Sequence, residues 1–171
     1  MREFQSPAGG LNSVYPCTEY LTFGPWIYCV PQYKPDNVLI LGYGGGTTAG
    51  LIRLIYGDVD ITGVDIEPCE NLYGVNIINQ DARDFVPNMG FYDCIIVDLW
   101  DDLKPRSPLA FITEPEFAKT LMKKGNYLIF HVLKSTEMST YKGVKLLKTL
   151  QLNDSIFYYF VRKRIPQIPI A

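Results

Sequence analysis

The 171-residue chain predicts a doubly wound α/β domain with a mostly parallel sheet. Three observations carry this. Apolar runs of strand length recur from residue 37 onward, a glycine cluster joins the first run to a helix-like segment, and acids stand at the ends of several runs. Continuous apolar runs, rather than alternating ones, suit parallel strands covered on both faces. Strand–helix alternation then places helices on both faces, with ligands at the carboxyl ends of the strands.

The first strand is read over Asn37–Leu41, and the glycine cluster Gly42-Tyr43-Gly44-Gly45-Gly46 follows it. A helix over Thr47–Tyr56 stops at Gly57, a residue type that ends helices readily. The second strand, Asp60–Val64, runs into Asp65 and Ile66. Only Cys69–Gly74 separates it from the third, Val75–Asn79, so that crossover holds one helical turn at most. Asp93–Asp98 is the fourth strand. Thr113-Glu-Pro-Glu116 has the pattern of a capping box opening a helix to about Lys123, with Lys124 and Gly125 at its end. Tyr127–Leu133 is the fifth strand, Thr140–Leu150 reads as a helix, and Ile156–Arg162 is the last strand. Residues 1–36, interrupted by Pro7, Pro16, Pro25, Pro31 and Pro35, read as an irregular arm with at most a short helix or hairpin around Thr18–Tyr28. Residues 37–171 read as one domain.

Composition narrows the function classes. An apolar share of 47% with 20% charged residues excludes a disordered chain. No run approaches the roughly 18 apolar residues of a membrane span, and the first residues lack a signal-peptide core, so cytoplasmic residence is expected. Cys17, Cys29, Cys69 and Cys94 lack metal-ligand spacing, and the single His131 lies in an apolar run. No metal is therefore expected. Reduced thiols are preferred over a Cys17–Cys29 disulfide, and His131 reads as a satisfied core residue. Residues 1–100 carry 12 acids against 4 Lys or Arg, whereas residues 101–171 carry 6 against 12. The basic half would suit nucleic acid. The preferred reading is plainer, a solvated helix face at Lys142, Lys145 and Lys148 and an edge guard at Arg162-Lys163-Arg164.

The chemistry-bearing residues gather at the expected carboxyl edge. Gly42, Gly44 and Gly46 would let backbone amides approach a nucleoside-type ligand at a helix start. Asp65 stands where ribose hydroxyls would sit. Asp81 could accept from an exocyclic amine while the Ala82 amide donates to a ring nitrogen. Asp98 and Asp101, with Asp102 beyond, suit a cationic substrate, and one of them could take a proton from a bound amine. The plainer alternatives are a tight turn for the glycines, a helix cap for Asp65, an Asx turn for Asp81 and a surface loop for the last acids.

With those motifs in place, residues 37–133 resemble the class I S-adenosylmethionine-dependent transferase superfamily, and within it the spermidine synthase (polyamine aminopropyltransferase) family. Val38–Thr47 resembles that family's strand and glycine loop, with Gly45 where the loop carries aspartate. Val64-Asp65-Ile66-Glu67-Pro68 is similar to its Val-Glu-Ile-Asp-Pro, and Gln80-Asp81-Ala82 to its Gly-Asp-Ala. Tyr92–Asp101 is similar to its Tyr-Asp-Val-Ile-Ile-Val-Asp-x-x-Asp, and Leu109–Phe117 follows its Leu-Phe-Thr-x-x-Phe segment. Ile40 occupies a position where many methyltransferases carry an acid.

The resemblance implies a Rossmann-like methyltransferase fold truncated at both ends. It leaves no room for the family's N-terminal β-hairpin domain and one strand after Leu133 where a pair is usual. It implies S-adenosylmethionine or its decarboxylated form as co-substrate, held by Gly42, Tyr43, Gly44, Gly45, Gly46, Asp65, Ile66, Asp81 and Ala82. Asp98 would orient and deprotonate an amine, and Asp101 would hold a small cationic substrate during aminopropyl transfer. The alternatives are a methyltransferase acting on a small molecule or RNA, and a non-catalytic nucleoside-binding protein. A homodimer is left open, and no membrane partner is expected.

Overall fold

The architecture comes from a computed structural model, which describes residues 2–5, 11–16, 24–101, 109–139 and 142–162. Its main sheet is built from β3 (Asn37–Leu41), β4 (Asp60–Asp65), β5 (Asn76–Asn79), β6 (Tyr92–Val97), β7 (Gly125–Leu133), β8 (Val144–Leu152) and β9 (Ser155–Arg162). The strands lie in the order β5-β4-β3-β6-β7-β9-β8. The first five are parallel, while β9 runs antiparallel to both β7 and β8. Chain order reverses between β3 and β6, the place in such a sheet where a ligand is expected at the carboxyl ends of the strands.

Both faces are covered, which accounts for the unbroken apolar runs. Val38, Ile40, Cys94, Ile96 and Ile129 face α1 (Thr47–Tyr56) and the 3₁₀ turn Pro25–Cys29. Leu39, Leu41, Ile95, Val97 and Phe130 face Ile112, Leu121 and Met122, from the turn Ala110–Thr113 and α3 (Pro115–Lys124). Between β5 and β6 lies α2 (Ala82–Phe85), a single turn. The segment Cys69–Gly74 forms no helix, as its length required.

Four expectations are corrected. Thr140–Leu150 is not a helix: from Val144 it is the edge strand β8, paired along its length with β9 and burying side chains on one side only. Lys145 and Lys148 are thus exposed on a strand rather than on a helix face. The strands after Leu133 form a complete antiparallel pair, so the sheet is not shortened there. The arm carries a hairpin of its own, β1 (Arg2–Gln5) with β2 (Leu11–Tyr15). The capping box does not form: Glu114 is the N-cap of α3 without a side-chain bond, and the Thr113 hydroxyl donates to the Ala110 carbonyl instead. Cys29, Cys69 and Cys94 are free thiols. Cys17, Asp102, Lys163, Arg164 and most of Thr18–Tyr28 lie outside the described residues. Among the described residues no helix is long and apolar enough to cross a membrane.

Candidate ligand site

At the carboxyl ends of β3 and β6 the glycine turn passes close against Asp98. Gly42 has φ +86°, and a Cβ there would stand 2.1 Å from the Asp98 carbonyl oxygen. Only glycine lets the two loops pass that closely. Tyr43 turns inward, its ring lying against Gly46 and Gly63 and 3% exposed. Burial pushes its hydroxyl up to about 12, and the buried oxygen has no hydrogen-bond partner.

Asp65 ends β4, the other neighbour of β3, and points at the glycine turn. Its Oδ2 accepts from the Gly44 amide at 2.8 Å and its Oδ1 from the Glu67 amide at 3.0 Å. These bonds aim the carboxylate along the carboxyl edge. Next to it the Ile66 side chain is 60% exposed.

The amides of the turn, however, are already satisfied. Gly42 and Tyr43 donate to the Val64 carbonyl, and Gly46 donates to the Tyr43 carbonyl. The Gly45 amide donates to the Ser13 hydroxyl at 2.8 Å. Ser13 belongs to the arm hairpin, which is strapped across the start of α1. The Val14 amide donates to the Thr47 hydroxyl, which in turn donates to the Val14 carbonyl. Phe4 and Ser13 fill the space a Gly45 side chain would occupy. Arg2 binds Glu70 through both guanidinium arms. The Asp65 carboxylate is thus held against the turn, and the turn's own amides are held by the chain itself.

Asp81 also departs from its expected role. Its carboxylate caps α2 by accepting from the Arg83 amide, and it grips the Arg83 guanidinium at 2.6 Å. That bond holds the carboxyl below its ordinary value. An exocyclic amine would have to displace Arg83 to reach it. The Ala82 side chain is buried beneath.

Asp98 is the start of a chain of polar contacts. Its Oδ1 accepts from the Trp100 indole and lies 2.8 Å from Nδ1 of His131. Nε2 of His131 lies 3.0 Å from the Ser155 hydroxyl. His131 stacks on Phe157 at 4.3 Å and meets Trp100 edge-on. The imidazole is thus the satisfied core group the sequence suggested, with partners that single-strand reasoning missed. Cys29 supplies a third potential metal ligand within 4.8 Å, but both ring nitrogens already have partners. Asp101 is partly buried just beyond.

Two clefts lie elsewhere. One of about 490 Å³ is at the opposite, amino-terminal edge, lined by Lys34, Arg53, Asp58 and Asp60 among others. One of about 220 Å³ lies between the Ala110–Thr113 turn and Val132–Thr136, at the carboxyl edge.

No known protein family matches the chain, and no curated protein does. Solved structures do. YhhF of Escherichia coli, provisionally classed as a methyltransferase, superposes with a TM-score of 0.61 at 13% identity, over 95% of this chain and 92% of that one. HI0767 of Haemophilus influenzae, provisionally classed as a methylase, gives 0.59 at 16%, over 94% and 99%. The plantazolicin methyltransferase BpumL, solved with S-adenosylhomocysteine (SAH), gives 0.56 at 15%, over 87% and 85%. At these identities the likeness shows the fold: a Rossmann-like methyltransferase fold, as the sequence predicted.

Proposed function

We propose that this chain is a methyltransferase that holds S-adenosylmethionine at the β3–β6 crevice. The observation that carries this reading is the carboxylate of Asp65, held against the glycine turn at the end of β4 and beside the exposed Ile66. In this assignment Asp65 takes the ribose hydroxyls, Ile66 supports the adenine, and the Tyr43–Gly46 turn faces the rest of the molecule. The bound co-substrate supplies a methyl group on a sulfonium, already a good leaving group, so the protein's part is positioning. An acceptor finds room at the same edge, in the cleft beside Ala110–Thr113.

Methyl transfer is preferred over aminopropyl transfer on two grounds. Each of the neighbours named above is called a methyltransferase or methylase. In addition, the Asp98 side chain is only 10% exposed and its Oδ1 is committed to Trp100 and His131, a poor arrangement for drawing a proton from an incoming amine.

Calorimetry against SAH, S-adenosylmethionine, its decarboxylated form and methylthioadenosine tests the reading. SAH and S-adenosylmethionine are expected to bind, and Asp65→Ala to weaken both by roughly tenfold to a hundredfold, the worth of hydrogen bonds to a charged group. Tighter binding of the decarboxylated form would restore aminopropyl transfer. A folded protein indifferent to all four compounds would sink the proposal.

A second reading, a nucleoside-binding protein without catalysis, is favoured by the strap itself. Ser13 and Phe4 occupy the turn where the far end of the co-substrate would lie. It predicts binding of the adenosine portion alone, with methylthioadenosine held as tightly as SAH.

A further inference from the structure

The contacts running from Asp98 through His131 to Ser155 cross three strands, β6, β7 and β9, along the carboxyl edge of the sheet. The order of groups is an acid, an imidazole and a hydroxyl, with separations of 2.8 and 3.0 Å. A carboxylate facing Nδ1 fixes the neutral imidazole with its proton on that nitrogen, leaving Nε2 as the acceptor of the Ser155 hydroxyl proton. The acid is held in turn by the Trp100 indole. The ring is held flat by Phe157, 9° from parallel. Here each group orients the next, and the hydroxyl at the end lies on the partly exposed Ser155.

The surroundings of Ser155 are apolar. Strand register sets Leu133 of β7 and Leu152 of β8 opposite it, so both share its face of the sheet, and both are partly exposed. The net result is a polarised hydroxyl with hydrocarbon on either side.

We propose that Ser155, His131 and Asp98 form a second reactive centre, in which Ser155 attacks small apolar acyl esters. Ser155 Oγ bonds to the acyl carbon while its proton passes to Nε2 of His131. The ester's C–O bond breaks, and the departing alkoxide takes that proton. Water then attacks the acyl carbon and gives a proton to Nε2, the Ser155 Oγ–acyl bond breaks, and Oγ takes that proton back as the free acid leaves. Asp98 stays ionised throughout and stabilises the imidazolium. This assignment stands whether or not the crevice binds S-adenosylmethionine.

The test is labelling of the whole chain with an alkyl fluorophosphonate, followed by peptide mass spectrometry, alongside hydrolysis of p-nitrophenyl butyrate. A single adduct on Ser155 is expected, with fluoride released, and Ser155→Ala removes both the adduct and the hydrolysis. His131→Gln should slow labelling by at least about 100-fold, the usual worth of a general base. If that variant fails to fold, the wild-type adduct decides alone: on Ser155 it supports the centre, and its absence there overturns it. Equal labelling rates in folded wild type and His131→Gln would overturn it as well.

Discussion

The two halves of the sheet are held together by different means. In β5-β4-β3-β6 the strands are parallel, and their carboxyl edge is shaped by backbone passing close to backbone, as where Gly42 meets the Asp98 carbonyl. In β7-β9-β8 the strands are antiparallel, and rings fill the space: Phe157 and Tyr159 on one face, Phe130 against Phe160 on the other. A half built on close approach fails by clash, and a half built on rings fails by cavity. Phe157→Ala is accordingly expected to have the largest effect on stability, about 3–5 kcal/mol in urea unfolding, since the ring is fully buried and supports His131. Its loss should leave the Asp65 side of the molecule intact, so SAH affinity in the surviving folded protein stays near wild type.

Gly42→Ala comes next and should sharpen the contrast. A methyl group 2.1 Å from the Asp98 oxygen, at φ +86°, combines overpacking with left-handed strain. Together these cost about 2–5 kcal/mol. Unlike Phe157→Ala, the change should weaken ligand binding in whatever protein remains folded, because it pushes apart the loops that make the crevice. If both variants lose affinity alike, the halves are not separable in this way.

The parallel half was legible because its strands are buried on both faces and their loops are short. Asn37–Leu41 and Thr47–Tyr56 have the bounds the residues suggested. The place of Asp65 was legible too, as the acid that ends a buried strand. The antiparallel half hid itself. Leu146, Leu147 and Leu150 with Lys145 and Lys148 recur at helical spacing, and the register shift between Leu146 and Lys148 disturbs the period of two that would betray a strand. One local signal did exist: Asn153-Asp154 is a two-residue hairpin loop, and Asn153 adopts the left-handed φ of 51° such turns require. Ser155 and Ser13 could not be read as site residues at all. Each meets its partner, His131 or Gly45, only through sheet register or an arm fold across the chain.

A smaller effect is expected from Ser13→Ala. Ser13 is 2% exposed, and without its hydroxyl the buried Gly45 amide loses its acceptor, which costs about 1–3 kcal/mol of stability. The same change weakens the strap. If the arm competes with ligand for the turn, SAH should bind the variant roughly twofold to tenfold more tightly, the equivalent of one net hydrogen bond. Unchanged or weaker binding would mean that the hairpin is a wall of the site rather than an occupant.

The smallest effect concerns Asp81, at the far end of the same edge. Its carboxylate takes the Arg83 amide and guanidinium together, which holds its pKa below the ordinary 3.8. A carboxyl depressed by folding contributes stability that is present above its unfolded value and is lost as pH falls through the folded one. Arg83 is 62% exposed, so solvent screens most of the attraction. Arg83→Ala should therefore lower the melting temperature slightly at neutral pH, and the wild-type and variant curves should converge as acid protonates Asp81. Scanning calorimetry across that range checks it, and a gap independent of pH would show that Arg83 acts through packing on Phe111, over which its guanidinium lies, and not through charge. Freed of Arg83, Asp81 can receive an exocyclic amine. A gain in affinity for SAH over S-inosylhomocysteine, whose base lacks that amine, would place the base against Asp81 and tie this edge to the site at Asp65.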